Sequence, residues 1–313
     1  MPAFGYEQYG DLLESGTVDA VDIVLPNSMH RESTVRAAKH KVHVLCKKPM
    51  AATPAECREM IAACEENGVL LMVAYRLHFE AGNLAAIAAA RSGKIGEPRL
   101  FNSVFTQIVR EGNTRLDADL AGGPLMDMGI DCINAARYLF QDDPLEVVGV
   151  DASSGQTRLS EVPEMVAAVM RFPKERLAVL SCGFGEGKVS EYRLVGTTGD
   201  LRMDPAYAHE GDLKMSLTSG GKTAETKYRN RDQVGAEIQY FADCVLNNHQ
   251  PEPDGYEGLA DLFIIDAIGR SMPSGKPVQL GPFKPKPRPS PAQEIRLPKA
   301  STPELVNASP PAD

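Results

Sequence analysis

The sequence predicts an α/β fold in which a parallel α/β half is followed by an α+β half with a largely antiparallel open sheet. Three observations predict it. Short apolar runs alternate with helical patterns up to about residue 93, as they do in consecutive parallel β–α–β units. Several strand-like runs then follow one another without helices between them, which favours antiparallel pairing. With 313 residues, 43% of them hydrophobic, the chain is long enough to bury both halves.

Three apolar runs define the parallel half. They cover residues 18–26, 42–46 and 69–75. Few polar residues interrupt them, which is typical of parallel strands that are buried on both faces. The helices predicted around them cover residues 7–14, 29–40, 54–67 and 83–91.

The helix at 54–67 has the clearest boundaries in this half. Thr53 and Glu56 have the spacing of a capping box, and Pro54 occupies the first helical position. Gly68 follows the last helical residue and serves as a C-cap. These signals predict both ends of the helix.

The second half is predicted from a different order of elements, in which several strands follow one another without helices between them. Strands are predicted at residues 99–110, 145–152, 164–172, 177–184, 189–196, 199–203 and 211–218, and helices at 126–140, 234–247 and 256–271.

The segment that follows is proline-rich and basic, so it cannot form a core and is predicted to lie extended on a surface or on a neighbouring subunit. The predicted divisions are residues 1–93, 94–280 and 281–313.

Charge and composition exclude several classes of partner. The formal net charge of -9 and the pI near 5.3 argue against nucleic acid or an anionic membrane as the main partner. No apolar run reaches the roughly 18 residues of a membrane helix, and no signal peptide is recognisable. The six cysteines form no CxxC pair, which favours buried thiols in a reducing compartment and therefore a cytoplasmic location. The spacing of the histidines predicts no metal site.

Two lysines follow the second apolar run directly. Lys47 and Lys48 come after Cys46, and Pro49 then ends the strand because it lacks a backbone N–H and has a fixed φ. Ligands of open α/β sheets bind beyond the carboxyl ends of the strands. The alternative interpretation is a pair of solvated surface lysines, because lysine is mostly exposed in folded proteins.

Two aspartates lie at the start of the helix predicted at 126–140. Asp127 and Asp131 are four residues apart, so they face the same side of the helix. One interpretation is acid–base chemistry on a hydroxyl group. The other is a structural preference, because acidic residues are favoured at helix N-termini.

One expected feature of a dinucleotide-binding half is missing from the sequence. Such a half begins with a strand, a GxGxxG turn and a helix, and this chain contains no GxGxxG. The run at 18–26 is therefore predicted to have an unpaired strand edge, which favours pairing with another chain.

Four segments together resemble a known family. They read VDAVDIVLPNSMH, HVLCKKPMA, AYRLHFEAGN and GGPLMDMGIDCINAARYLF, in this order. The chain resembles the Gfo/Idh/MocA oxidoreductases and, within them, the glucose–fructose oxidoreductase branch. The resemblance implies a Rossmann-like domain, here incomplete, over residues 1–93. It also implies a C-terminal substrate domain whose antiparallel sheet forms a homo-oligomer, either a dimer or a tetramer.

The resemblance assigns the catalytic residues. In the family, a Glu-Lys-Pro motif carries a lysine beside the nicotinamide, and Lys48 matches it. Lys47 replaces the glutamate, which predicts repulsion between the two lysines. The family's Asp-x-Gly-x-His or Asp-x-Gly-x-Tyr pattern is matched by Asp127 and Gly129, whereas Asp131 stands where the proton-transferring histidine or tyrosine is expected.

The resemblance also implies binding residues and a reaction. The residues assigned to the cofactor are Pro26, Asn27, His30, Lys48 and Pro49, and those assigned to the substrate are Arg76, His78, Asp127 and Asp131. The expected function is NAD(P)-dependent hydride transfer at a carbinol or carbonyl carbon of a sugar or polyol. NADP is favoured and NAD is possible. The alternative is a catalytically silent, oligomeric ligand-binding protein, because the cofactor-phosphate turn is missing.

Overall fold

The structure is a computed structural model that describes residues 3–283 and 288–299. Residues 284–287 and 300–313, which belong to the predicted proline-rich tail, lie outside the described residues, as do Met1 and Pro2. No helix in the described ranges combines the length and apolar character that crossing a membrane requires.

The first half forms a three-stranded parallel sheet in the order β1–β2–β3. Its elements are α1 (Tyr9–Glu14), β1 (Ala20–Ile23), α2 (His30–Lys39), β2 (His43–Lys47), α3 (Pro54–Asn67), β3 (Leu71–Ala74) and α4 (Ala81–Arg91). The capping box of Thr53 and Glu56 is present in α3, and Gly68 closes that helix with a φ of 68°. The prediction of a parallel α/β half is therefore confirmed.

Burial on both faces was predicted for the first strand, and this prediction is wrong. All four residues of β3 are buried, whereas only Ile23 is buried in β1. Among the described residues β1 pairs only with β2. Its other edge is therefore uncovered in this part of the chain, and half of its residues are exposed.

The second half is built on a nine-stranded sheet in the order β11-β10-β9-β8-β4-β7-β6-β5-β12. Its strands are β4 (Pro98–Thr106), β5 (Glu146–Ala152), β6 (Met165–Phe172), β7 (Arg176–Gly183), β8 (Val189–Gly196), β9 (Gly199–Met203), β10 (Leu213–Ser219), β11 (Lys222–Tyr228) and β12 (Val278–Gln279). Every neighbouring pair is antiparallel except β4 and β7, which run parallel. The largely antiparallel sheet is confirmed, and β11 and β12 were not predicted.

Three further helices connect this sheet to the first one. They are α5 (Ile130–Phe140), α6 (Gln233–Asn247) and α7 (Gly255–Ser271). A π-helical turn, Leu125–Gly129, precedes α5, so the helix predicted from residue 126 is regular only from residue 130. Helix α6 packs on β2, and α7 packs on both α3 and β5. One hydrophobic core therefore continues from the parallel sheet to the large sheet.

The described part of the tail lies against the chain's own surface. The guanidinium of Arg288 contacts Asp143 at 2.7 Å, and Ile295 packs against a small apolar cluster that includes residues of β2 and α6. The amide of Asp232 donates a hydrogen bond to the carbonyl of Leu297. Of the two surfaces predicted for the tail, these residues occupy one on their own chain.

Candidate active site

The candidate site lies where β1 and β2 end. Ile23 pairs with Cys46 in the parallel register, so the residues that follow both strands emerge at the same edge of the sheet. Pro26 and Asn27 follow β1, and Lys48 follows β2. The peptide bond between Lys48 and Pro49 is cis. Ligands of open α/β sheets bind at this edge.

The Lys48 ammonium is held by the turn that leads into α5. Its Nζ donates a hydrogen bond to the carbonyl oxygen of Asp127 and another, 3.0 Å long, to Oδ2 of Asp131. The Oδ1 atom of Asp127 lies 3.8 Å from the same nitrogen. The two aspartates predicted from the sequence thus converge on Lys48. The side chain of Lys48 remains 21% exposed, which leaves it accessible to a ligand.

Gly129 is required by the packing of this turn. A Cβ atom at this position would lie 2.7 Å from Cδ1 of Leu125 and 3.2 Å from Sγ of Cys182 in β7. Glycine therefore allows the turn to approach the large sheet closely. The position of the Asp127 carbonyl depends on that approach.

Arg115 is a residue of the site that the sequence did not indicate. Its Nε lies 2.8 Å from Oδ2 of Asp127, and its side chain is 48% exposed. The loop that carries it folds back on itself, because the amide of Gly123 donates a 2.8 Å hydrogen bond to the Arg115 carbonyl. Pairing between an irregular loop and a helix start leaves no periodic signal in a sequence.

Lys47 is paired with two carboxylates that its sequence position did not indicate. Its Nζ lies 2.5 Å from Oε1 of Glu237 in α6 and 3.7 Å from Oδ2 of Asp22 in β1. The two lysines have separate carboxylate partners, and repulsion between them remains a prediction. Burial raises the pKa of Glu237, although Lys47 acts in the opposite direction.

Arg76 follows β3 and bridges three parts of the chain. Its guanidinium donates hydrogen bonds to the side-chain oxygen of Gln233 in α6 and, at 2.5 Å, to the carbonyl of Tyr207. Burial lowers the pKa of Arg76, whereas the nearby carboxylates of Asp131 and Glu237 raise it. Its predicted role in substrate binding remains a prediction.

His78 lies in the interior, in the turn that follows β3. It is 1% exposed, and its ring nitrogens are 2.8 Å from Glu252 and 2.7 Å from Asn134. Burial lowers the pKa of His78, but Glu252, Glu257 and Asn134 together outweigh burial and raise it overall. Both ring nitrogens of His78 therefore have protein partners, and its predicted role in substrate binding remains a prediction.

His30 and Asn27 hold the site together. The ring nitrogens of His30, which is fully buried, lie 3.0 Å from the Pro49 carbonyl and 2.8 Å from the Leu25 carbonyl. The amide of Asn27 donates a 2.8 Å hydrogen bond to the Ala121 carbonyl. His30 thus supports the turn after β2 from the buried side. The predicted contact with a cofactor fits Asn27 better than the fully buried His30.

His209 was not among the site residues predicted from the sequence, where the histidine spacing was used only to exclude a metal site. Loss of hydration, followed by the positive charges of Arg76, Lys48, Lys47 and Arg115, lowers the pKa of its imidazole to about 4. The imidazole of this exposed residue therefore belongs to the electrostatic environment of the site.

The edge of the sheet can stabilise negative charge on a ligand oxygen. An ammonium that is held by a carbonyl and a carboxylate donates hydrogen bonds without first reorganising. In the described part of the chain, no group of three or more histidine, cysteine or acidic side chains is arranged to hold a metal ion.

Family models match both halves of the chain. The model of the oxidoreductase family with an NAD-binding Rossmann fold matches residues 2–75, and the model of the GFO/IDH/MocA C-terminal domain matches residues 83–202. The chain is 34% identical over 285 residues to the D-xylose 1-dehydrogenase [NADP(+)] of Haloarcula marismortui, covering 89% of this chain and 79% of that protein. It is 31% identical to the D-xylose 1-dehydrogenase (NADP(+)) 2 of Haloferax volcanii, covering 88% and 84%.

Solved structures have the same fold. The aldose-aldose oxidoreductase from Caulobacter crescentus, complexed with glycerol, superposes with a TM-score of 0.83 at 35% identity, covering 88% of this chain and 83% of that one. A 3-ketoreductase from Actinomadura kijaniata, in complex with NADP and TDP-benzene, gives a TM-score of 0.78 at 28% identity, covering 87% and 82%.

Proposed function

Because this chain belongs to the Gfo/Idh/MocA family of oxidoreductases, we propose that it is an NADP-dependent oxidoreductase of a sugar or polyol. Hydride is transferred at a carbinol or carbonyl carbon of that substrate. The observation that carries the proposal is the Lys48 ammonium, held at the carboxyl edge of the parallel sheet by Asp127 and Asp131. The relatives that are named as NADP-dependent xylose dehydrogenases support the choice of cofactor and substrate class.

The residues at the sheet edge fit the nicotinamide end of a dinucleotide. Pro26 and Asn27 after β1 lie beside Lys48 and Pro49 after β2, at the edge where such folds bind their cofactors. A bound NADP supplies the hydride acceptor for oxidation of the alcohol, and NAD would supply the same chemistry. His30 contributes by fixing the turn at Pro49.

Lys48 acts on the oxygen of the reacting carbon. Its ammonium donates a hydrogen bond to that oxygen and stabilises the negative charge that develops on it. Asp131 orients the ammonium through a 3.0 Å hydrogen bond, and the Asp127 carbonyl holds it from a second direction. Arg115 in turn holds the carboxylate of Asp127.

The charges around the site balance, which favours an uncharged substrate. Four cationic side chains lie near four carboxylates: Lys47, Lys48, Arg76 and Arg115 near Asp22, Asp127, Asp131 and Glu237. A phosphorylated or carboxylated sugar would need an excess of positive charge. We therefore propose a neutral sugar or polyol as the substrate.

We also propose that the chain assembles through the outer face of the large sheet into a dimer or tetramer. Large apolar side chains on that face are exposed: Val150, Met165, Val169, Leu177 and Val189. Extended apolar patches of this kind are typical of protein–protein contacts. Light scattering after gel filtration tests the proposal. Replacing Val169 with lysine, which places a charge in the patch, is expected to lower the measured mass to that of one chain.

The cysteines support a cytoplasmic location. All six are free and buried, and free thiols persist in reducing compartments. Fractionation of cells that express the natural chain tests this.

Cofactor titration is the test of the main proposal. Nicotinamide fluorescence is followed as NADPH is added, and turnover is then measured on a panel of neutral aldoses and polyols. Saturable binding together with turnover is the expected result. If no binding occurs at millimolar NADPH, the chain is instead a silent ligand-binding member of the family.

A further inference from the structure

One carboxylate lies between Arg115 and Lys48. The Nε atom of Arg115 lies 2.8 Å from Oδ2 of Asp127, and the Nζ atom of Lys48 lies 3.8 Å from Oδ1 of the same side chain. The guanidinium and the ammonium therefore lie on the two oxygens of a single carboxylate. Because no more than this group separates the two cations, a ligand the size of a sugar can contact both.

The loop that carries Arg115 has a fixed backbone. The amide of Gly122 donates a 2.9 Å hydrogen bond to the Asp117 carbonyl. A Cβ atom at Gly122 would lie 2.3 Å from the carbonyl oxygen of Arg115, so this close approach requires glycine. Asn27, which follows β1, holds the loop from the other side through its hydrogen bond to the Ala121 carbonyl. The loop is thus ordered before a ligand arrives, which lowers the entropic cost of using Arg115 in binding.

Arg115 and Asp127 both have hydrogen-bonding capacity left. Within residues 3–283 and 288–299, the terminal nitrogens of Arg115 have no hydrogen-bond partner and no ion-pair partner other than Asp127. The Oδ1 atom of Asp127 is too far from Lys48 for a hydrogen bond and accepts none from the same ranges. The two side chains are 48% and 23% exposed. A ligand can therefore reach an unused donor and an unused acceptor that lie side by side.

A hydroxyl group matches this donor and acceptor. Its oxygen accepts a hydrogen bond and its hydrogen donates one, whereas a C–H group does neither. Lys48 has one N–H left for the reacting oxygen, because the other two are directed to the Asp127 carbonyl and to Asp131. A second hydroxyl of the same substrate therefore has Arg115 and the Asp127 carboxylate as its partners.

We propose that Arg115, together with Asp127, binds the hydroxyl on the carbon next to the reacting one and so selects substrates with two adjacent oxygens. This inference rests on the oxidoreductase function proposed above. The hydroxyl donates to Oδ1 of Asp127 and accepts from a terminal nitrogen of Arg115. In an aldose that reacts at C1, it is the C2 hydroxyl. A 2-deoxy sugar leaves both side chains without this partner and is a poor substrate.

Turnover of a matched pair of sugars tests the proposal. D-Glucose and 2-deoxy-D-glucose differ only in the C2 hydroxyl. Wild-type kcat/KM is expected to be about 10-fold lower for the deoxy sugar, because one hydrogen bond to a half-exposed charged group is lost. Arg115→Met should reduce kcat/KM for D-glucose more than for 2-deoxy-D-glucose, so that the preference falls to about threefold or less.

The ratio between the two sugars separates selection from simple support of Asp127. If Arg115 only holds the Asp127 carboxylate, Arg115→Met lowers turnover of both sugars equally and the preference stays at its wild-type value, which would overturn the proposal. 3-Deoxy-D-glucose keeps the C2 hydroxyl, so its loss in Arg115→Met should equal that of D-glucose. Arg110→Met changes another exposed arginine of the same loop and is the matched control, with an unchanged preference expected.

Calorimetric titration of the two sugars into the chain without added cofactor is independent of turnover. Tighter binding of D-glucose than of 2-deoxy-D-glucose, by about 10-fold and lost in Arg115→Met, is the expected result. If this preference occurs without any turnover, the oxidoreductase function is refuted and the hydroxyl site is retained. If turnover occurs without a preference, the hydroxyl site is refuted and the oxidoreductase function is retained. Neither binding nor turnover of either sugar would refute both.

Discussion

Lys47 at the end of β2 and Glu237 in α6 are separated by 190 residues in the sequence and by 2.5 Å between Nζ and Oε1. The carboxylate of Glu237 is 2% exposed, whereas the lysine side chain is 24% exposed. The pair therefore attaches a helix of the second half to the strand that carries the active-site turn.

Breaking this pair on one side is expected to be costly. Lys47→Met leaves the Glu237 carboxylate buried without its main partner, and the free energy of unfolding should fall by about 3 kcal/mol. Urea denaturation at pH 7 measures the loss. In Lys47→Met/Glu237→Leu no fully buried carboxylate is left without its partner, and the Asp22 carboxylate that also loses Lys47 is 30% exposed, so most of the stability should return. If the double variant is no more stable than the single one, the pair does not act as a unit.

The Lys48 ammonium is expected to be essential for turnover and dispensable for folding. Lys48→Met removes the donor to the reacting oxygen, and kcat should fall by more than about 100-fold. Lys39→Met, which replaces an exposed lysine of α2, is the control and should keep wild-type kcat. Both are compared at saturating NADP in its oxidised form, and far-UV circular dichroism verifies that each is folded. An active Lys48→Met would remove Lys48 from the catalytic residues.

Gly129 should not tolerate a methyl group. Gly129→Ala forces the Leu125 side chain or the turn itself to move, which should cost about 1–3 kcal/mol of stability. It should also displace the Asp127 carbonyl from Lys48 and reduce turnover. Gly269→Ala in α7 is the control, because a Cβ there meets no atom within 4 Å. That substitution should raise the thermal midpoint slightly, since alanine favours a helix over glycine. Equal destabilisation by both changes would contradict the packing argument.

His78 should make stability depend on pH in a defined direction. Its pKa in the folded chain is raised by Glu252 above the value of about 6.5 expected when unfolded. The stabilisation is therefore complete below the unfolded pKa and is lost as the pH rises through the folded one. Unfolding free energies of wild type and His78→Gln, measured between pH 5.5 and pH 9, should differ most at the acidic end. A difference that is constant over this range would show that His78 is not protonated in the fold.

The parallel half and the location of the catalytic turn follow from local features of the sequence. Thr53, Glu56 and Gly68 specify a helix through bonds to neighbouring residues, and the structure contains those bonds. Pro49 and the apolar run before it likewise specify where β2 ends. The spacing of Asp127 and Asp131 alone was enough to place both in one site, because they lie on the same side of the turn that leads into α5.

What the sequence did not indicate depends on contacts between distant segments. Strand β11 has six exposed residues and no apolar alternation, and it forms because β10 pairs along its whole length. Arg115 contacts Asp127 from a loop and Glu237 contacts Lys47 from a helix, and neither residue carries a periodic signal. The carboxylate partner of Lys47 in α6 was missed for the same reason, since it is not visible from neighbouring residues.

The contacts of α6 with the first sheet have a consequence for the synthesis of the chain. Once the ribosome has synthesised the chain to the end of α5, Lys48, Asp127 and Asp131 are all present. The carboxylate that neutralises Lys47 and the amide that holds Arg76 are both contributed by α6, about 100 residues later in translation. Until then Lys47 at the end of β2 and Arg76 after β3 lack these two partners, so a nascent chain should attract anions more strongly than the finished protein does.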